Sequence, residues 1–212
     1  ESGGSTGKQA TWYVDPLDGT TNYLHGTPHY AVSIGLVAHA GTPDTMGQPL
    51  ASDTPVIGVV YDPNREEMFT GLHGVGAWLN GHRIACSKVD QVSEALVATG
   101  IPVRTFEYLD PYLVALKSLV LNTRGIRRQG SAALDLCWVA AGRVDAYWEQ
   151  GIQAWDVAAG CAIAQAAGAQ VSDPYDPQAS WPQAGRIVAC APGIEQQLCS
   201  LVVPPMKDAP GL

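Results

Sequence analysis

The chain has 212 residues and a formal net charge of −8, with 46% hydrophobic and 15% charged residues. This composition is typical of a globular protein rather than a disordered one, and the acidic balance argues against nucleic acid and anionic membranes as partners. The length predicts a single domain over residues 1–212, with a core large enough to fold without disulfides.

The five cysteines have no CxxC spacing, and four of them lie in apolar runs. We therefore expect free thiols in a reducing compartment. No stretch approaches the roughly 20 apolar residues that span a bilayer. Together these features predict a cytoplasmic protein with no membrane partner.

The first half of the chain has the pattern of β-strands. A Gly/Ser-rich opening precedes a short strand that is predicted to end at Asp15, and a hairpin insertion is expected at 40–55. Asn80-Gly81 predicts a two-residue hairpin, because both turn positions need positive φ. The predicted strands are 11–14, 30–38, 56–62, 67–72 and 76–86. This order indicates an antiparallel meander.

The second half alternates strands with helices. The predicted strands are 94–100, 125–129, 144–149 and 186–191. The predicted helices run from Asp110 to Asn122, from Ser131 to Gly142, from Asp156 to Gly168 and over 193–202. Each of the first three begins at a side chain that can accept a hydrogen bond from a helix N-terminus. A meander followed by alternating elements predicts a mixed, layered α+β fold.

Asp15 and Asp18 lie three residues apart in WYVDPLDGTTNYLHG, residues 12–26. A proline-stiffened turn would aim both carboxylates and the Leu17 carbonyl at one point, and Mg²⁺ prefers such oxygen ligands. The Gly-Thr-Thr run at 19–21 begins a short helix, whose free N–H groups suit a phosphate. The stretch therefore indicates metal-assisted phosphoryl chemistry, with a solvated turn as the alternative.

Two other acids are candidates. Asp156 is expected to cap a helix, and its remaining lone pairs could bind a metal ion. Glu149 taken alone is more often a surface acid than a ligand.

Further charged pairs give weaker indications. His25 and His29 have i, i+4 spacing, but an intervening glycine and proline disfavour a helix, so a zinc site is the less favoured interpretation. Arg127 and Arg128 could steer phosphate. Because adjacent residues of a strand face opposite sides, at most one of them is expected to point inward.

The stretch at 12–26 and WDVAAGCAIAQAAGAQVSD at 155–173 resemble the two signature motifs of the inositol monophosphatase family. These are Mg²⁺-dependent, lithium-sensitive phosphomonoesterases. RRQGSAALDLCWVAAGRVDAYWEQG at 127–151 is similar to the bacterial members. The resemblance implies a layered αβαβα sugar-phosphatase fold, here lacking its N-terminal helices. Gln165 stands where an acid is usual, and the loop at 40–55 is longer than usual.

The resemblance implies a set of metal ligands. Asp15 would bridge two metals, the Leu17 carbonyl would bind the first, and Asp18 and Asp156 would complete the second. Two or three Mg²⁺ ions are implied, with Mn²⁺ as a substitute and Li⁺ and Ca²⁺ as inhibitors.

It also implies how substrate is bound. Gly19 and Thr20 would bind phosphate through backbone N–H groups, and the Thr20 hydroxyl would orient the attacking water, so that Thr20 and Asp15 are the catalytic residues. The alcohol part would contact residues 130–132 and Glu149. The implied substrate-binding residues are Leu17, Asp18, Gly19, Thr20, Gly130, Ser131, Ala132, Glu149 and Asp156.

The implied activity is hydrolysis of a small phosphate monoester, such as inositol 1-phosphate, by a metal-activated water without a covalent intermediate. Histidinol phosphate, a nucleotide 3′-phosphate and fructose 1,6-bisphosphate are alternative substrates. A homodimer is expected.

Two other classes compete with this prediction. The haloacid dehalogenase phosphatases also place Asp-Gly-Thr after a strand, but one residue separates their two acids, and here two residues do. Metal ligation by Asp15 is therefore favoured over nucleophilic attack. A non-catalytic metal-binding homologue is the remaining alternative.

One feature departs from the family. The family has a Glu-Glu pair ahead of the first motif, and Glu1-Ser2 resembles its second glutamate and the following serine. The principal metal-binding glutamate would then lie before residue 1, and we expect it in a preceding segment of the natural protein.

Overall fold

A computed structural model describes residues 3–6, 9–102, 106–176, 181 and 185–206, so Glu1 and Ser2 lie outside the described residues. The strands are β1 (Gly3–Thr6), β2 (Ala10–Asp18), β3 (Ala31–Ala38), β4 (Thr54–Asp62), β5 (Glu67–Leu72), β6 (Gly76–Leu79), β7 (His82–Ile84), β8 (Leu96–Thr99), β9 (Gly125–Arg127), β10 (Ala146–Gln150), β11 (Gln170–Ser172) and β12 (Arg186–Cys190). The helices are α1 (Thr20–Leu24), α2 (Leu109–Asn122), α3 (Ala132–Ala140), α4 (Ala154–Ala166) and α5 (Glu195–Met206).

The first sheet contains β1 to β7 in chain order, and every neighbouring pair is antiparallel. The predicted meander is therefore confirmed. Asn80 and Gly81 have φ values of 49° and 80°, as the predicted hairpin requires. The predicted insertion at 40–55 also forms a hairpin, which an isolated bridge between Pro43 and Pro49 closes.

Three paired glycines form a row across the first sheet: Gly35, Gly58 and Gly71 on β3, β4 and β5. A Cβ atom added at Gly35 would lie 2.6 Å from the Ala159 backbone nitrogen of α4, and one at Gly58 would overlap the Ala159 carbonyl oxygen. The glycines therefore allow the backbone of α4 to lie directly on the sheet.

The second sheet has the order β11-β12-β10-β8-β9 and mixes parallel with antiparallel pairs. Helices α3 and α4 lie between the two sheets, and α2 and α5 cover the other face of the second sheet. The layered α+β prediction is thus confirmed. The described residues place no helical layer on the outer face of the first sheet, where Trp12 and Met68 remain 42% and 40% exposed.

The predicted helix starts were only partly right. Ser131 caps α3 as predicted, accepting a hydrogen bond from the Leu134 backbone N–H. Asp110 does not cap α2, which begins one residue earlier after Tyr108; the acid lies in the first turn, where its charge still favours the helix N-terminus. Asp156 does not cap α4 either, because Gln153 occupies that position.

Two edge strands were missed, β1 and β11. Each is short, and neither shows a run of β-branched or aromatic residues, so the sequence pattern gives no strand signal. None of the described helices is both long enough and apolar enough to cross a bilayer. The five cysteines are free thiols, as predicted.

Candidate metal centre and substrate cleft

Asp15 and Asp18 are brought together by a bulge in β2, and not by the predicted turn after a shorter strand. The strand continues through both acids, while its register with β3 shifts between the Asp15–Ser33 and Asp18–Ala31 pairs. Two residues three apart on a regular strand face opposite sides, and the extra residue of a bulge reverses this alternation. The Leu17 backbone N–H donates to Asp15 Oδ1 at 2.9 Å, which fixes the first carboxylate.

Asp18 is held from the start of α3. Its Oδ2 accepts hydrogen bonds from Ser131 Oγ at 2.5 Å and from the Ala133 backbone N–H at 2.8 Å. Burial raises the pKa of Asp18 from 3.8 to about 7; the two hydrogen bonds oppose this shift, and the charges of Asp156 and Asp15 add to it. The carboxylate is therefore costly to ionise unless a cation lies beside it.

Asp156 reaches the same point from α4. Its Oδ2 accepts from the Gln153 backbone N–H at 2.7 Å, the reciprocal contact of a capping box. Asp15, Asp18 and Asp156 each place a carboxylate oxygen within 4.8 Å of the others. Three oxygen ligands of this kind fit a hard divalent cation such as Mg²⁺, which would also relieve their mutual repulsion.

The described residues contain no other group of three or more acids, histidines or cysteines close enough to share a metal ion. His29 is 5% exposed and packs edge-on against Trp138. Burial and the charge of Arg65 lower the pKa of His29 to about 4. The zinc site considered for His25 and His29 therefore has no support in the structure.

Helix α1 begins immediately after the bulge. Gly19 caps it with a φ of 88°, and a Cβ atom there would meet the His29 carbonyl oxygen at 3.0 Å, so this position requires glycine. Thr20 Oγ1 donates to the Leu17 carbonyl at 3.0 Å. Asn22 Nδ2 donates to the carbonyls of His29 and Gln129, at 2.7 Å each, which ties α1 to the segment before α3.

The acidic cluster lies in a cleft of about 930 Å³. Nine of the ten predicted site residues line it: Asp15, Leu17, Asp18, Gly19, Thr20, Gly130, Ala132, Glu149 and Asp156. Ser131, the tenth, is buried behind them and bonds Asp18. The structure thus brings the whole predicted set together, while the role of each residue remains a prediction.

Glu149 is a cleft residue, and the interpretation as a surface acid is wrong. The Tyr147 hydroxyl donates to its carboxylate. Burial raises the pKa of Glu149 to about 7, although the Tyr147 hydrogen bond and the charge of Arg128 oppose the shift. A Cβ atom at Gly100 would overlap the Glu149 carboxylate, so Gly100 provides the space that this side chain occupies.

Two residues that line the cleft, and one buried acid near it, were not predicted or not resolved from the sequence. Gly100 gave no signal, because its role depends on a contact with a distant strand. Asp135 is an acid within an apolar helix, which could have been noticed; it is 1% exposed, and burial raises its pKa well above 3.8. Arg128 lines the cleft, whereas the Arg127 guanidinium donates to the Ile126 carbonyl at 3.0 Å. One arginine of the pair therefore points inward, as expected.

The layered fold and the carboxylate cluster define a class of proteins, those with a phosphatase fold and an acidic site suited to a metal ion. The chain belongs to the inositol monophosphatase family, whose sequence profile matches residues 1–205. It is 38% identical to Nus factor SuhB of Pasteurella multocida over 210 residues, 98% of this chain and 73% of that protein. It is 46% identical to Nus factor SuhB of Pseudomonas aeruginosa over 178 residues, 81% of this chain and 59% of that protein. The solved inositol monophosphatase from Anabaena sp. superposes with a TM-score of 0.79 at 37% identity, covering 96% of this chain and 76% of that structure.

Proposed function

We propose that this protein hydrolyses small phosphate monoesters with Mg²⁺ as cofactor, and that inositol 1-phosphate is a substrate. The observation that carries the proposal is the convergence of Asp15, Asp18 and Asp156, whose carboxylate oxygens lie within 4.8 Å of one another. Membership of the inositol monophosphatase family supports the same reaction.

The bound ions would neutralise charge on the phosphoryl oxygens and activate a water molecule near neutral pH. Asp15 is proposed to bridge two ions, with the Leu17 carbonyl on the first and Asp18 and Asp156 on the second. The hydrogen bonds that orient Asp15, Asp18 and Asp156 leave each carboxylate fixed before an ion arrives. Such preorganisation lowers the cost of binding.

The remaining residues would hold the phosphate and the alcohol. Gly19 and Thr20 are proposed to bind phosphate through backbone N–H groups. Thr20 Oγ1 donates to the Leu17 carbonyl, so its own lone pairs can accept a hydrogen bond from the attacking water and orient it. Glu149 and the turn at 130–132 would contact hydroxyl groups of the alcohol.

Histidinol phosphate, nucleotide 3′-phosphates and fructose 1,6-bisphosphate are alternative substrates within the same proposal, since a cleft of about 930 Å³ admits all of them. The proposal includes a single domain, a homodimer, a cytoplasmic location and inhibition by Li⁺. Light scattering measures the oligomeric state, and a mass of one chain would contradict the dimer.

Phosphate release from inositol 1-phosphate tests the activity. We expect Mg²⁺-dependent turnover by the wild type, inhibition by Li⁺, and a loss of at least about 100-fold in kcat for Asp156→Asn. Asp44→Asn is the matched control, because Asp44 lies in the 40–55 hairpin outside the cleft lining, and asparagine keeps an oxygen for the Met46 N–H. Turnover that is independent of Mg²⁺, or unchanged in Asp156→Asn, would contradict the proposal.

A second candidate is a binding role without turnover, and the name Nus factor borne by close relatives favours it. This role need not depend on the carboxylate cluster, so the wild type would show no turnover and Asp156→Asn would leave binding of the partner intact. The prediction that nucleic acid is not a partner is tested separately. Fluorescence anisotropy with a labelled single-stranded RNA at physiological salt is expected to show no saturable binding.

A further inference from the structure

Arg128 is the one basic residue among the described residues that line the cleft. The ionisable groups around it there are the acids Asp15, Asp18, Glu149 and Asp156, together with the hydroxyl of Tyr108. Its neighbour Arg127 is exposed, with its guanidinium on the Ile126 carbonyl. Among the described cleft residues, this guanidinium has no part in the proposed reaction, because the transferred phosphate would be bound by the metal centre.

The backbone around Arg128 is shaped to receive its side chain. Gly130 has a φ of 88°, and a Cβ atom there would overlap Arg128 Nη1 and lie 3.2 Å from Asn22 Nδ2. The guanidinium therefore lies against the Gly130 backbone, near α1. Its charge also acts on the Glu149 carboxylate and lowers the pKa of that group, so the guanidinium lies within electrostatic range of Glu149.

The guanidinium of Arg128 makes no hydrogen bond and no ion pair within 4.0 Å with any residue that the structure describes. The side chain is exposed at the cleft. None of its five N–H donors is engaged by the described part of the chain, and their planar fork matches a carboxylate or a phosphate in a bidentate manner.

We propose that Arg128 determines substrate specificity by binding a second anionic group, a carboxylate or a second phosphate, on the alcohol part of the substrate. The proposal rests on the proposed phosphatase function and names its substrate class as anionic phosphate monoesters. A neutral polyol would leave the guanidinium without a charged partner, whereas a second anion would pair with it. A cleft of about 930 Å³ is large enough for substrates that carry two such groups.

Matched substrate pairs test this assignment. Glycerol 3-phosphate and 3-phosphoglycerate differ by a hydroxymethyl group and a carboxylate, and fructose 1-phosphate and fructose 1,6-bisphosphate differ by one phosphate. We expect the wild type to prefer the second member of at least one pair. Arg128→Gln should lower kcat/KM for that member by about 30-fold, because one charge-assisted hydrogen-bonded pair is lost. For the first member of the pair, kcat/KM should fall by less than about threefold. Arg128→Lys should retain only part of the selectivity. Arg127→Gln, the matched control, should leave the selectivity unchanged.

Calorimetric titration of each pair in Ca²⁺ gives the same comparison without turnover. A selective loss of affinity for the anionic member in Arg128→Gln supports the assignment even when hydrolysis is absent. Absence of hydrolysis would overturn only the phosphatase function. Equal losses for both members would place Arg128 on the shared phosphate and overturn the assignment. No loss for either member would overturn it as well.

Discussion

At the scale of single residues, the buried Asp18 carboxylate should make the free energy of unfolding depend on pH. Burial raises its pKa to about 7, so the metal-free native state holds a proton that the unfolded chain releases above about pH 4. The free energy of unfolding should therefore fall as pH rises from about 4 to about 7 and level off above that. Asp18→Asn, which keeps an oxygen for Ser131 and Ala133, should remove this component, about 3 kcal/mol between pH 5 and pH 8.

Urea unfolding in a chelator, at those two pH values, measures the Asp18 component. Glu149 titrates in the same range in both proteins and cancels in the comparison. Asp44→Asn controls for the loss of a carboxylate outside the cleft. If wild type and Asp18→Asn lost the same stability between pH 5 and pH 8, the ionisation of Asp18 would not be coupled to folding.

Substitution of Gly100 should change KM, although glycine bears no reactive group. In Gly100→Ala the new Cβ would overlap the Glu149 carboxylate, the far end of a flexible side chain, so Glu149 should move while the fold persists. We expect KM for the preferred substrate to rise about tenfold, the loss of one hydrogen bond to a charged group. Gly125→Ala is the matched control, because its Cβ would lie 3.6 Å from Leu96 Cδ1. Steady-state kinetics with an unchanged KM in Gly100→Ala would contradict the placement of Glu149.

Residue-scale prediction from the sequence succeeded where chemistry is local. The spacing of Asp15 and Asp18 indicated that both carboxylates could bind one metal ion, and the predicted helix start at Ser131 was correct. The sequence surroundings of Glu149 indicated a surface acid, and only the family resemblance placed it at the site, because the space for its carboxylate depends on Gly100, which follows β8.

At the scale of elements, the contact between α4 and the first sheet governs where Asp156 lies. In Gly58→Ala the new Cβ would overlap the Ala159 carbonyl oxygen, and because both are backbone-anchored, no rotamer change relieves the clash. We expect a loss of about 3 kcal/mol in the free energy of unfolding, with weaker Mg²⁺ binding since α4 must shift. Urea titration followed by tryptophan fluorescence measures the first effect and calorimetry the second. Stability equal to that of Gly125→Ala would show that α4 does not rest on the glycine row.

Element boundaries were predictable where β-branched runs or caps mark them, as in β3, β4 and α3. The strand through the DPLD motif was predicted to stop at Asp15, since proline and aspartate disfavour strands. Pairing with β3 overrides that preference and turns the expected loop into a bulge. Edge strands β1 and β11 form because neighbouring strands offer them partners, which no local pattern reveals.

At the scale of the whole molecule, the layer order was predictable from the succession of elements, whereas the convergence of layers at the site was not. The three acids come from two layers. Asp15 and Asp18 belong to the first sheet, and Asp156 belongs to the helices between the sheets. Only the resemblance to a family linked Asp156 to the other two. A metal ion bound by all three would connect two layers of the molecule, so metal binding should be visible in global unfolding.

Mg²⁺ at about 100 times its dissociation constant should stabilise the native state by about 2.7 kcal/mol, since the unfolded chain does not hold the three carboxylates together. For a chain of this size, that is a rise of roughly 5–10 °C in Tm. Ca²⁺ should act similarly, because it uses the same oxygen ligands. Asp156→Asn should lose most of this rise while Asp44→Asn keeps it, as measured by differential scanning calorimetry. An equal rise in Asp156→Asn would mean that α4 supplies no ligand, and that any ion is held by the first sheet alone.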